Sequence, residues 1–335
     1  MIREAARRYA AGERTAAPLG VQLEPVGAAP LEGELFRFRF GGAAAGSLAA
    51  GVFPLQVEPL GGAQLDEVWC STGEVGGGEL GELRFRQSRG HLVVHLQLEV
   101  DGSRPLDELA NRAYRRLIEC ARRRGYPHLL RVWNLFPEIN SGDGDGERYR
   151  VFSLGRALAF DALGYRGRQL PAGTAIGTGA ATPLSITLLA AGAPRRAVEN
   201  PRQTSAYRYP RRFGPRSPSF SRAVLLEAGS ARQLLVSGTA SIVGHESLHG
   251  GSIAGQVTET FRNIRALRRQ AQADCGGAST AAAASLRIYL RRREDLQAAT
   301  ALLPDCLEAG DRIVCLRGDI CRRELVLEVE GAYRF

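Results

Sequence analysis

Apolar and polar positions alternate with period two along several short stretches of the chain and with a period near 3.6 along others, and the two periods recur in one order. In GELFRFRF the apolar members Leu35, Phe36, Phe38 and Phe40 read as a half-buried strand, and a second strand is expected around Val68 and Trp69, between turn glycines. HLVVHLQLEV (91–100) is strongly strand-like. From Asp107 to Arg124, Leu109, Ala113, Leu117 and Cys120 recur at helical spacing, and Gly125 and Pro127 end that helix. LLRVWNLF then forms the next strand. The second half repeats the order: RQLLVSGTASIV as a strand, GQVTETFRNIRALRRQA as a helix with Val257, Phe261, Ile264 and Leu267 on one face, and SLRIYL as a strand. A helix from Glu294 to Leu303 and the strand ELVLEVEGAYRF close the chain. The fold class is α+β, with two copies of one unit.

Between the copies lie SGDGDGE, the segment RYRVFSLGRALAFDALGY, the run GTAIGTGAATPLSITLLA and an arginine-rich loop, Asn200 to Arg222. SGDGDGE is superficially like a calcium loop but lacks the full ligand spacing and the distal glutamate. GTAIGTG has no lysine or helix start after it, so it reads as a buried strand with close backbone contacts instead of a phosphate cradle. In the arginine-rich loop, Pro201, Pro210, Pro215 and Pro218 forbid a continuous helix. Arg202, Arg208, Arg211, Arg212, Arg216 and Arg222 offer planar forks that match carboxylate or phosphate, with Tyr207 and Tyr209 adding hydroxyls. The loop is therefore either an anion-holding element or a solvated basic loop.

Composition narrows the chemistry. The chain has 335 residues, 44% of them hydrophobic, enough to bury a core in two domains of ordinary size. All 44 basic residues are arginine, which excludes a Schiff-base or Walker lysine. The net charge of +9 is spread along the chain, and no nucleic-acid module is legible, so an anionic small substrate is expected and nucleic acid is not. The six cysteines form no CxxC pair, which points to neither a zinc ribbon nor a disulfide scaffold. The N-terminal MIREAARRYAAGERT lacks an apolar signal core, and no long apolar run follows, so a cytoplasmic protein without a membrane partner is expected.

Among candidate chemical groups, HESLH (His245, Glu246, His249) matches the zincin pattern literally. That chemistry needs a helix, and TASIVG before it and Gly250 and Gly251 after it disfavour one, so the histidines are expected to orient a loop near a pocket. General acid work falls instead to a carboxyl, a tyrosine or a thiol. Glu328 and Glu330, two apart on a strand, share a face, and in partly apolar surroundings one would become an acid of raised pKa. An outward polar strand face accounts for the pair equally well. Cys321 by itself reads as a small buried apolar side chain.

NPRQTSAYRYPRRFGPRSPSFSR, SGTASIVGHESLHGG, QVTETFRNI and DICRRELVLEVEG together resemble the chorismatase family, from about Arg131 to the C-terminus. The resemblance implies two RidA (YjgF)-like units in one chain, imitating part of that fold's trimer, with mixed sheets and helices packed on one face. It divides the chain into a degenerate N-terminal unit, 1–185, and a C-terminal unit, 186–335, that carries an active-site loop at 200–222. It also implies a monomer, chorismate as substrate, pyruvate as one product, and no metal or organic cofactor. By motif position, Glu328 is implied as proton donor. Tyr149, Arg156, Tyr209 and Arg222 are implied as substrate contacts, with Arg216 and Arg202 as competitors. Cys321 resembles the cysteine of the aromatising branches, which favours 3-hydroxybenzoate, with 4-hydroxybenzoate as a companion product, over the dihydroxycyclohexadiene carboxylate of the hydrolytic branch. Ala240 departs from the glycine of the 3-hydroxybenzoate branch. A non-catalytic anion-binding protein of the same fold is the alternative from another class.

Overall fold

Residues 17–41, 50–62, 64–276 and 282–335 are described by a computed structural model of the chain, and the MIREAARRYAAGERT segment lies outside them. Strands β1 (Leu19–Pro25), β2 (Glu34–Phe40), β3 (Val52–Leu55) and β5 (Leu65–Ser71) form a four-stranded sheet ordered β1-β5-β2-β3, which β4 (Glu58–Leu60) leaves for the edge of another sheet. Next come β6 (Gly76–Leu80), β7 (Leu83–Gln87), β8 (His91–Leu98), α1 (Leu106–Arg123), β9 (His128–Pro137), α2 (Arg148–Ala162), β10 (Ala172–Thr178) and β11 (Leu184–Ala191). Their strands make a six-stranded sheet ordered β10-β9-β11-β8-β7-β6. The last part comprises β12 (Arg196–Val198), β13 (Ala223–Ala228), β14 (Ala231–Thr239), the small hairpin β15 (Ile242–Val243) and β16 (Glu246–Ser247), α3 (Ile253–Asp274), β17 (Ala282–Leu290), α4 (Asp295–Leu302), β18 (Arg312–Arg317) and β19 (Leu327–Arg334). It builds a seven-stranded sheet ordered β12-β13-β14-β19-β17-β18-β4.

The duplication expected from the periodicity is present strand for strand. The order β10-β9-β11-β8-β7 in the second sheet corresponds to β18-β17-β19-β14-β13 in the third. In each, the pair flanking the second helix of the unit is parallel and the other pairs are antiparallel. One apolar cluster lies between the second sheet and α1 and α2, and another between the third sheet and α3 and α4. A third cluster joins all three sheets. Phe36, Phe38 and Trp69 of the first sheet meet Trp133 and Ile176 of the second and Tyr289 and Leu316 of the third, giving the trimer-like layout that the family resemblance implied.

Burial on two sides explains the local sequences. β8 and β11 are covered by helices on one face and by the central cluster on the other, so they are apolar almost throughout. Asp107 and Glu108 occupy the first turn of α1, where the helix dipole favours acid, and Gly125 at φ 82° turns the chain away after its end. Ser252 caps α3 by accepting from the Gly255 N–H at 3.1 Å. No helix among the described residues is long and apolar enough to cross a membrane.

Three expectations need correction. The boundary at 185/186 falls inside β11, whose ladders to β8 and β9 complete the second sheet, so the sheets divide after Ala191. RYRVFSLGRALAFDALGY contains the full helix α2, which was not expected as an element. RQLLVSGTASIV is not one continuous strand: the register shifts between Val236 and Thr239, and β14 ends there.

Candidate active site

Alternation along β19 brings Glu328 and Glu330 to one face, and both are buried, with 4% and 1% of their surface exposed. Glu330 is saturated with donors. Tyr289 OH at 2.8 Å and Arg287 Nη1 at 3.0 Å donate to Oε1, while Arg131 Nη2 and Thr174 Oγ1 donate to Oε2. Burial opposes its ionisation, but Arg131 and Arg287 outweigh burial and hold the carboxyl below the ordinary range, so Glu330 is an anion. Glu328 has no hydrogen bond or ion pair among the described residues. Burial and then the neighbouring Glu330 charge push its pKa up to about 8, against the pull of Arg131 and Arg222. At neutral pH it is an un-ionised acid beside a fixed anion.

The irregularity in β14 makes room for this acid. An ideal Cβ on Gly238 would lie 2.0 Å from Glu328 Oε1, so only glycine leaves the carboxyl its place. The Gly238 N–H donates to Thr174 Oγ1 at 3.0 Å, which ties β14 to the hydroxyl that also holds Glu330.

Glu328 opens into a cavity of about 210 Å³ where the two units meet. α2 and β10 contribute Tyr149, Arg156 and Thr174. The 200–222 loop, the end of β14 and the chain entering β19 contribute Tyr209, Arg222, Ala240 and Cys321. Arg222 Nη2 donates to Thr204 O and to Tyr209 OH, each at 2.7 Å, and its Nε has no partner. Arg156 Nη2 reaches Ser153 Oγ at 3.4 Å, and its Nε is likewise unpartnered. Neither guanidinium forms an ion pair among the described residues, although 2% and 3% exposure for Arg156 and Arg222 bury both. Two buried guanidiniums with no ion pair favour an anion with two charged ends. Burial raises the phenol pKa of Tyr149, with Cys321 adding to the shift, so the tyrosine is a neutral hydroxyl. Burial and then Glu328 push the Cys321 thiol up to about 12, so it is not a thiolate.

Tyr149, Arg156, Tyr209, Arg222, Ala240, Cys321 and Glu328 thus line one cavity. Arg202 and Arg216 do not, contrary to expectation, because their forks are occupied elsewhere. Arg202 binds Glu259 at 2.5 Å and Asn263 at 2.8 Å on α3, and Arg216 pairs with Asp161 on α2. Arg211 grips Asp145 at 2.9 and 2.5 Å, and Arg212 pairs with Glu246. Most of the basic run therefore straps its own loop in place. SGDGDGE serves the same end through Asp145, while its Asp143 meets Arg323 of the chain before β19 at 3.2 Å. HESLH lies in the β15–β16 hairpin and the turn after it, with His249 at φ 58°, so its histidines do not share a helix face. His245 packs edge-on against Tyr209 and Phe213, and its carbonyl accepts from Arg322 Nη1 at 2.9 Å.

Sequence reasoning missed Arg131, Thr174, Arg287, Tyr289 and Glu67, which hold Glu330 directly or through one another. The usable signal was a lone charge inside an otherwise apolar strand: Arg131 in LLRVWNLF and Arg287 in SLRIYL.

Residues 67–190 match the family described as Chorismatase FkbO/Hyg5-like, N-terminal. The 3-hydroxybenzoate synthase of Streptomyces hygroscopicus is 32% identical over 274 residues, 79% of this chain and 80% of that protein. A chorismatase of Streptomyces rapamycinicus is 38% identical over 214 residues, 62% of this chain and 64% of that one. A crystal structure of a chorismatase superposes with a TM-score of 0.83 at 30% identity, covering 95% of this chain and 99% of the other.

Proposed function

We propose, from the premise that the chain belongs to the chorismatase family, that it cleaves chorismate to pyruvate and hydroxybenzoate, chiefly the 3-isomer, by protonating the enolpyruvyl group. The observation that carries this reading is the pair of buried guanidiniums of Arg156 and Arg222, without an ion pair among the described residues, lining the cavity into which un-ionised Glu328 opens. Chorismate bears one carboxylate on its ring and one on its enolpyruvyl arm, so each guanidinium takes one end, with Tyr149 and Tyr209 donating hydroxyl hydrogen bonds. Held in this way, the enol ether lies against Glu328.

Glu328 gives its proton to the methylene carbon, and the double-bond electrons form the new C–H bond, leaving an oxocarbenium-like centre on the ether carbon. The ring C–O bond then breaks with its electrons going to oxygen, and pyruvate departs. For the 3-isomer, the ring hydroxyl oxygen moves to the vacated carbon before the ring releases one proton and becomes aromatic. Chorismic acid has the summed formula of pyruvic and hydroxybenzoic acids, so neither water nor an oxidant enters. Cys321, a neutral thiol on the cavity wall, steers the ring hydroxyl, and the Ala240 methyl narrows the cavity where the ring sits.

Incubation with chorismate, with pyruvate measured by a coupled assay and the ring product by chromatography, tests the reading. One pyruvate per hydroxybenzoate is expected. A dihydroxycyclohexadiene carboxylate as the ring product would replace the aromatising route with the hydrolytic one. Tight chorismate binding without any pyruvate would make the chain an anion-binding protein.

A further inference from the structure

Beneath the cavity lies a buried group of four charges drawn from all three larger sheets. Arg131 on β9 and Arg287 on β17 stand on corresponding strands of the two units, and both donate to Glu330 on β19. Arg287 also grips Glu67 of β5, with Nε donating to Oε2 at 2.8 Å and Nη2 to Oε1, while Trp69 Nε1 donates to Glu67 Oε1 at 2.6 Å. Arg131 donates to the Val236 carbonyl and to Thr174 Oγ1 at 2.6 Å. Two arginines thus face two glutamates, and the group is neutral only while Glu67 is part of it. Buried charges are tolerated in such closed sets, and removing one member leaves a bare charge in a medium that screens poorly.

We propose that Glu330 is a positioning residue that places a fixed negative charge beside Glu328 and so keeps it un-ionised, while Glu67 of the N-terminal sheet cancels the second arginine and lets that charge be felt. This rests on the reading of Glu328 as proton donor. The groups around Glu328 divide by element. Glu330 shares its strand, Arg131 faces it from β9, and Tyr289, its register partner, and Arg287 come from β17. Tyr149, Arg150 and Arg156 come from α2 and Glu147 from just before it, Tyr209 and Arg222 from the 200–222 loop, and the neutral thiol of Cys321, with the more exposed Arg322, Arg323 and Glu324, from the chain before β19. A bound dicarboxylate neutralises Arg156 and Arg222. Of the buried charges, what then remains is Arg131, Arg287, Glu67 and Glu330, whose sum is zero and whose acidic member nearest Glu328 is Glu330. Without Glu330 or Glu67 the set carries one net positive charge, which favours the Glu328 anion.

The test reads the acid itself, independently of turnover. In infrared titrations the protonated-carboxyl band of Glu328, assigned by its loss in Glu328→Gln, is followed in wild type, Glu330→Gln and Glu67→Gln, alongside the pH profile of pyruvate release from chorismate. In wild type the band should persist past pH 7. Its midpoint should fall by about one pH unit in Glu330→Gln, roughly a tenfold change in protonated fraction at fixed pH, and by less in Glu67→Gln, with the alkaline limb of turnover moving equally. Unmoved midpoints in folded variants would overturn the proposal. If Glu330→Gln does not fold, Glu67→Gln decides alone, since it changes the same charge sum from a strand outside the cavity. A wild-type chain that makes no pyruvate but shows the band and its shift would overturn the function and leave the inference about Glu330 standing.

Discussion

Two carboxyls on one strand face, separated by a single residue, occupy opposite protonation states because one is ringed by cations and the other is not. With Glu328 as the proposed proton donor, turnover should hold below about pH 8 and fall as pH rises through that value, read from kcat/KM across pH 6–10. Glu328→Gln should cut pyruvate release about 100-fold or more. It should also raise the melting temperature at pH 7. With its folded pKa at about 8 and a reference value of 4.5, native Glu328 retains a proton that the unfolded chain has released, so stability falls as pH rises across that window. An amide escapes this penalty, whose ceiling at pH 7 is on the order of 3 kcal/mol. A lower melting temperature for the variant would contradict the account. Arg222→Ala should raise KM for chorismate steeply, since one end of a buried ion pair is worth roughly 2–5 kcal/mol. Cys321→Ala should change the ratio of ring products more than the rate of pyruvate release, and identical chromatograms would remove the thiol from that role. The carboxyl pair was legible in the sequence from its spacing of two. The partners of Glu330 were not, because an arginine in a strand is ordinarily read as pointing outward, whereas Arg131 and Arg287 point inward.

At the scale of elements, two glycines separate stability from chemistry. A Cβ on Gly155 of α2 would lie 2.0 Å from the Asp107 carbonyl oxygen, so Gly155→Ala must push α2 off α1 and should lower the melting temperature by several degrees. Gly238→Ala instead collides with the Glu328 carboxyl and should remove turnover while sparing most of the melting temperature. Calorimetry and a pyruvate assay on both variants check the contrast. Most strands and the helices α1, α3 and α4 could be read from periodicity, because each presents one continuous apolar face or run. α2 could not. Its buried positions include Ser153, Gly155 and Arg156 between Phe152 and Phe160, since one part of the helix packs on α1 and another lines the cavity, and no single stripe survives. The basic loop was legible as irregular but not as self-anchored, because its counter-ions Asp145, Asp161, Glu246 and Glu259 lie on four separate parts of the chain.

For the molecule as a whole, described residues of both duplicated units of one chain line the cavity, which we propose is complete within a monomer. Turnover per chain should therefore be independent of protein concentration, and sedimentation at the assay concentration should show a monomer; activity that falls on dilution would point to a shared site. The central cluster, in which Phe36, Phe38 and Trp69 of the first sheet and Trp133 of the second meet Tyr289 and Leu316 of the third, binds the three sheets to one another. Were three identical subunits arranged this way, any residue placed at one junction would recur at the other two, and an ill-solvated acid would be repeated threefold. Fusing the copies breaks that rule. Each seam can then drift on its own, so the chain can hold a single uncomfortable carboxyl at one seam without repeating it at the others.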